Sequence, residues 1–204
     1  MTVFWGPEGP ILNVPGFFRL EIYVCIFDLL TGLKRGVSMK ILTCNMRGYG
    51  EGDGENAWKH RKDICVDIIR AEAADIICFQ EMMQIADMRA SFPDYGVYGM
   101  FHEAHERYPR NCIFFRNDSY NMISCSGYWL SENPHVPGSK SLGGACMRLA
   151  NWVLLEDRAA KTEFRGGNTI LTISAREREK NRRLLLLKTR RHTGMITPRF
   201  SQAI

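Results

Sequence analysis

The chain has 204 residues, with 27 Lys/Arg against 22 Asp/Glu for a formal net charge of +5, and 45% hydrophobic and 24% charged residues. That length allows one large domain or two small ones with a sizeable core, and the composition excludes a disordered or collagen-like chain. The positive charge is local: Ile170 to Ile204 hold nine Lys/Arg and two Glu, net +7, leaving net −2 for residues 1–169. It argues little for a basic binding face on the body.

In chain order, residues 1–38 open with "WGPEGPILNVPG", dense in proline and glycine, followed by an apolar stretch without a clear period. They read as an N-terminal extension outside the core. The apolar stretch Phe17 to Leu33 is broken by Arg19, Glu21 and Asp28, so neither a membrane span nor a cleaved signal is expected, and the default location is the cytoplasm. Met39 starts a strand pattern over 40–45, followed by the loop "RGYGEGDGEN" with four glycines. Trp58, Ile64, Cys65, Ile68, Ile69 and Glu72 recur at helical spacing, which predicts an amphipathic helix over 57–72 packed on a sheet. Strands are expected at 75–80, 111–117, 120–131 and 148–157, with the two-proline loop "NPHVPGSKS" among them. "EFRGGNTILTIS" reads as a strand weakened by Gly166 and Gly167. The segment after it, "AREREKNRRLLLLKTRRHTG", reads as a partly formed basic helix, with a solvated charge run as the plain alternative. This gives three parts: an extension over 1–38, a domain over 39–175 and a basic, partly helical tail over 176–204. One marked helix among several strands favours an α+β or layered α/β domain over a doubly wound one.

Seven cysteines, at positions 25, 44, 65, 78, 112, 125 and 146, form no CxxC pair. Their odd number and the apolar setting of Cys44 and Cys78 favour buried thiols over a disulfide or zinc framework.

Two polar residues end the best early strands: Asn45 in "LTCNMR" and Glu81 in "ADIICFQE". A carboxylate at the end of a buried strand is costly unless a cation or a donor meets it. One carboxylate with an amide oxygen suits Mg²⁺ (or Mn²⁺), which keeps several waters and takes few protein ligands. Spacing alone leaves open that Glu81 pairs with an arginine and Asn45 caps a turn.

From Met39 to about Thr169 the sequence resembles the endonuclease/exonuclease/phosphatase family. The resemblance lies in an ordered set of motifs: "TCNMRGYGEGDGENAWKHR" with its Trp-x-x-Arg, the Asp-Ile-x-x-x-Gln-Glu strand of "ADIICFQE", and "NCIFFRNDSYNMISCSGYWLSENPHVPGSKSLGGACMRLANWV" with its Trp-Leu-Ser-Glu-x-Pro and Gly-Ser-Lys-Ser. The resemblance implies a DNase I-like four-layer α/β sandwich (α+β), here incomplete at its C-terminal side, and metal-dependent hydrolysis of a phosphoester whose type is undetermined. A divalent ion would polarise the phosphoryl oxygen while an activated water attacks in line. Carried over, Glu81 is the metal ligand, Asn45 orients phosphate or metal beside it, and Arg148 matches a phosphate-contacting arginine. Asn168 matches the asparagine of an Asn-Thr-His motif. Trp129 and Trp152 read as core residues.

The match departs from the family pattern at three points. Met147 stands where a proline precedes the arginine, and Ile170 stands where the motif has histidine. No aspartate follows Asp157, so the Gly-Asp-x-Asn and Ser-Asp-His motifs are absent from this sequence. Weak or no turnover by this chain alone is expected, and the first sheet is expected to lack a partner layer on one face. The alternative reading is a non-catalytic fragment or interaction module that keeps the first half of the fold. A third reading, a nucleic-acid binder, rests only on residues 176–191.

Overall fold

The computed structural model describes residues 22–29, 39–47, 53–100, 111–141 and 146–171, with the backbone alone for the first of these segments. The expected tail helix and half of the glycine-rich loop, residues 48–52, lie outside them. In chain order the elements are β1 (Ile22–Leu29), β2 (Ile41–Asn45), α1 (Trp58–Ala71) behind a short 3-10 turn at Gly54–Asn56, and β3 (Ile76–Gln80). Then come α2 (Ile85–Ser91), β4 (Tyr95–Tyr98), β5 (Cys112–Arg116), β6 (Tyr120–Trp129), β7 (Leu149–Asp157) and β8 (Glu163–Leu171).

The strands form two four-stranded sheets, ordered β2-β3-β5-β4 and β1-β8-β7-β6. In the first, β2 and β3 are parallel and the other pairs antiparallel, while the second is antiparallel throughout. Period-two alternation sorts β3 between two cores. Ile77 and Phe79 face the helices, where they meet Cys65, Val66 and Ile69 of α1 and Met88 of α2. Ile76 and Cys78 face the second sheet, where they meet Val153, Leu155 and Phe164. Every residue of β3 is therefore buried, which explains its unbroken apolar sequence. Phe79 and Phe114 meet edge to face at 5.0 Å on the helix side, and Tyr120 and Phe164 do so at 5.4 Å between the sheets.

Helix, sheet and sheet thus make an α+β layered sandwich. The first sheet is covered on both faces, contrary to the expected bare face. Among the described residues no helix lies on the outer face of the second sheet, where Tyr128, Leu130 and Ala150 cluster with half-buried Trp152. The Arg165 guanidinium lies over the Trp152 ring at 4.5 Å. Trp129 is buried as expected, but Trp152 belongs to this outer face and not to the inter-sheet core.

Within the expected extension, the described residues Ile22–Leu29 run antiparallel along β8 for eight residue pairs, from Ile22 opposite Leu171 to Leu29 opposite Phe164. The eight-residue run "IYVCIFDL" is rich in β-branched and aromatic residues, and it meets an edge that would otherwise stand unpaired. Gly166 and Gly167 do not interrupt β8. They are hydrogen-bonded between Val153 and Trp152 on one side and Phe27 and Ile26 on the other, and neighbouring strands on both sides supply the order that glycine lacks.

In α1 the buried positions are Arg61, Cys65, Val66 and Ile69. Ile64, read as facing the sheet, is 53% exposed. The packed stripe is shifted by one residue because Arg61, not an apolar side chain, takes the first inward turn.

Candidate functional site

Strand directions bring the C-terminal ends of β2, β3 and β8 and the N-terminal ends of β5 and β7 to one end of the sandwich. Asn45, Glu81, Asn168 and Arg148 all belong to these termini. Open sheets place ligand sites at such strand ends because side chains and backbone groups leave the ladder there.

Asn45 stands beside Gln80 in the parallel register, and the ladder closes with Met46 N–H donating to Gln80 O at 2.9 Å. Glu81 therefore leaves β3 directly beside the point where Asn45 leaves β2. Both chains then turn through the left-handed region, Arg47 at φ 56° and Glu81 at φ 52°. Neither is glycine, and backbone strain of this kind concentrates where a site dictates the geometry. Glu81 is 9% exposed. Asn45 Oδ1 accepts the Arg47 N–H at 2.7 Å, which fixes the orientation of the carboxamide.

Arg61 supports this turn from beneath. Its Nε donates to Asn56 O at 2.5 Å and its Nη1 reaches Met46 O at 3.4 Å, with the guanidinium 5.8 Å from the Trp58 ring. The Trp-x-x-Arg spacing thus stacks an arginine on the preceding turn's tryptophan while it holds both ends of the loop after β2. Trp58 Nε1 in turn donates to Asp87 at 2.7 Å, and Lys62 pairs with the same carboxylate at 2.6 Å. These contacts hold the Asp87 carboxyl below its usual range. Arg47 pairs with Asp53 at 3.0 Å across the loop.

Behind Asn45, on the helix side, burial pushes the Cys44 thiol up to about 12, with Cys65 adding to the rise and Arg61 opposing it. Cys44 keeps some accessible surface as a residue, but its sulfur is turned inward, 3.5 Å from Met46 Sδ. Burial raises Cys65 as well, against the lowering effect of Arg61. All six cysteines with described side chains are free thiols.

Asn168, 1% exposed, crosses from the second sheet to the first. Its Nδ2 donates to Phe79 O at 2.7 Å and Cys112 O at 2.9 Å, and its Oδ1 accepts from Gln80 Nε2 at 2.8 Å. Its carboxamide is thus spent within the protein, one residue from Glu81. Ile170 lies two residues further on the same face of β8 and is 2% exposed. Arg148 is half-buried immediately before β7, with its carbonyl accepting Leu130 N–H at 2.7 Å.

Sequence reading missed Gln80, Asn111 and Asn151. Asn111 Nδ2 donates to Leu149 O at 2.8 Å, Asn151 Nδ2 donates to Asn111 O, and Asn151 Oδ1 accepts Met100 N–H at 3.1 Å. An isolated asparagine in a strand carries no spacing signal. The one available hint was the position of Gln80 and Asn111 at the ends of otherwise apolar strands.

The donor types at this end are ones a divalent cation takes. Glu81 and Asn45 offer a carboxylate and an amide oxygen, hard ligands suited to Mg²⁺ or Mn²⁺. Among the described residues no group of three or more His, Cys, Asp or Glu converges as a metal cluster, so the donor set is sparse and the ion would retain water.

No family model and no curated protein matches the sequence. Solved structures do match. An endonuclease/exonuclease/phosphatase from Bacteroides vulgatus superposes with a TM-score of 0.70 at 27% identity, over 76% of this chain and 61% of that one. A mannosyl-6-phosphatase from Bacteroides thetaiotaomicron gives a TM-score of 0.67 at 22% identity, over 76% and 60% of the two chains. The human Nocturnin catalytic domain with bound sulfate gives 0.59 at 16% identity, over 85% and 63%. The chain therefore spans about three-fifths of the length of the structures it matches. Over about 76% of its residues the chain is thus similar in fold to solved endonuclease/exonuclease/phosphatase family proteins.

Proposed function

We propose that this chain carries part of the site of a divalent-metal-dependent phosphoesterase, with a phosphate monoester, phosphodiester or nucleic-acid substrate. The observation that carries this reading is the paired exit of Asn45 and Glu81 from adjacent parallel strands through two left-handed residues. The B. vulgatus structure, at 27% identity, supports it. In this reading Glu81 and Asn45 hold Mg²⁺ or Mn²⁺, which when bound supplies charge to a phosphoryl oxygen. Arg148 contributes a guanidinium fork to the same phosphate from the second sheet. Asn45 is kept in orientation by the Arg47 N–H, and Arg61 keeps the Met46 turn in place.

A specific observation favours slow turnover, or the non-catalytic reading. Ile170 is buried where the family motif carries histidine, and no aspartate follows Asp157. A general base contributes roughly a hundred- to ten-thousand-fold in rate, so hydrolysis by this chain alone is expected to be weak. The test is hydrolysis of bis(p-nitrophenyl) phosphate with Mn²⁺ or Mg²⁺, comparing the wild type with Glu81→Ala. Slow, metal-dependent turnover that Glu81→Ala abolishes supports the phosphoesterase reading. Metal-independent turnover, or turnover untouched by Glu81→Ala, overturns it. Mn²⁺ binding that depends on Glu81 without any turnover identifies the non-catalytic alternative.

A further inference from the structure

We propose that Asn168, Asn111 and Asn151 are positioning residues which set the gap between Glu81 on the first sheet and Arg148 on the second. The proposal rests on the reading of Glu81 as metal ligand and Arg148 as phosphate contact. Those two groups stand on different sheets, and the apolar contacts between the sheets cannot by themselves place one against the other. Ile76, Cys78, Val153 and Leu155 attract without direction, so they resist separation far better than they resist sliding. Hydrogen bonds do fix register, and three asparagines supply them at the site end of the sandwich.

Each bond falls next to a site residue. Asn168 holds Phe79 O and the Gln80 side chain, immediately before Glu81. Asn111 holds Leu149 O, immediately after Arg148, and Asn151 returns a bond to Asn111 O. The orientation of Asn168 is determined, because a flipped amide would set its oxygen against two carbonyls, Phe79 O and Cys112 O. Asn168, Asn111 and Asn151 are 1%, 3% and 1% exposed. An amide gains little over an aliphatic side chain as core filling and is costly when imperfectly bonded, so three together need a role that packing does not supply. Gly127 adds an independent sign. It lies opposite Asn151, and a Cβ there would come 2.7 Å from Asn151 Oδ1. The strand beside the clamp thus lacks a side chain where one would displace the carboxamide.

The test uses the full chain, Mn²⁺ as the ion and inorganic phosphate as the anion. In the wild type, phosphate should tighten Mn²⁺ binding by about tenfold, since both ligands meet between Glu81 and Arg148. In Asn168→Leu, and separately in Gly127→Ala, Mn²⁺ alone should bind within about threefold of wild type while this coupling falls below about threefold. Gly127→Ala keeps every donor and acceptor and is read in place of Asn168→Leu should the latter fail to fold. Coupling retained at its wild-type value in the folded variants overturns the proposal. A wild type that binds no Mn²⁺ overturns the metal reading instead. The clamp is then judged by hydrogen exchange: amides at Glu81 to Met83 and at Leu149 should exchange at least about tenfold faster in the variant, while Ile76 and Ile113 stay protected. Unchanged exchange at those amides overturns it.

Discussion

Adjacent residues of β2 meet opposite chemistry. Asn45 shares its face with Ile41 and Thr43, toward the second sheet, while Cys44 turns to the helix core beside Cys65. Asn45, the last residue of β2, and Glu81, immediately after β3, were legible in the sequence because each closes an apolar strand with a polar side chain. Asn111, Asn151 and the inward turn of Arg61 were not, because their partners lie across the fold and leave no periodicity. The Cys44 thiol carries a stability consequence. Its folded value of about 12 exceeds the ordinary 9.0, so the neutral thiol is favoured in the folded chain. That contribution is complete below about pH 9 and is lost as the pH rises from there toward 12. We predict a fall of roughly 2–3 kcal/mol in unfolding free energy by pH 11 from this group. Urea titrations of wild type and Cys44→Val across pH 8–11 check it: the variant should show a shallower alkaline decline. Burial raises Cys65 and Tyr120 too, so some slope should survive.

Among the elements, those with a clear period were predicted, whereas β1, inside the aperiodic apolar stretch of residues 1–38, and the short α2 and β4 were not. Helix α1 and strands β2, β3, β5, β6, β7 and β8 follow from the sequence pattern within a few residues. Helix α2 has seven residues and β4 has four, too few to separate a helical from an extended repeat. Gly96 in β4 reflects tertiary packing, since a Cβ there would collide with the Phe115 ring and with Asn117. Helix α1 starts poorly. Its N-cap is Ala57, without a side-chain cap bond, and its first turn holds no acidic residue. The first backbone N–H groups and the positive end of the helix dipole are therefore little compensated. Ala57→Asp should stabilise the protein by about 1 kcal/mol. An upward shift of the urea midpoint at unchanged m-value would show it. No shift would mean that the chain entering from the 3-10 turn already supplies those N–H groups with partners.

For the whole molecule, the net charge, the edge strand and the site are separable. The +7 of residues 170–204 sits beyond a body of net −2, and the candidate site lies within that body. None of the described helices is long and apolar enough to cross a membrane. The edge strand, by contrast, reaches the site through the sheet. β8 carries Asn168 and is paired with β7 on one side and β1 on the other. A chain begun at Met39 would keep every candidate site residue but lose β1. Alternate residues along that edge of β8 would then present unpaired N–H and C=O groups, an arrangement that recruits strands from other molecules. The exposed strand is also the one whose Asn168 grips Phe79 and Cys112, so fraying at that edge would loosen the inter-sheet clamp. We predict that the chain from Met39 self-associates in sedimentation, unfolds at lower urea than the full chain, and exchanges its Gln80 and Glu81 amides faster. A monomer with the urea midpoint of the full chain would show instead that β7 alone holds β8 in register, and that residues 22–29 contribute nothing to the site.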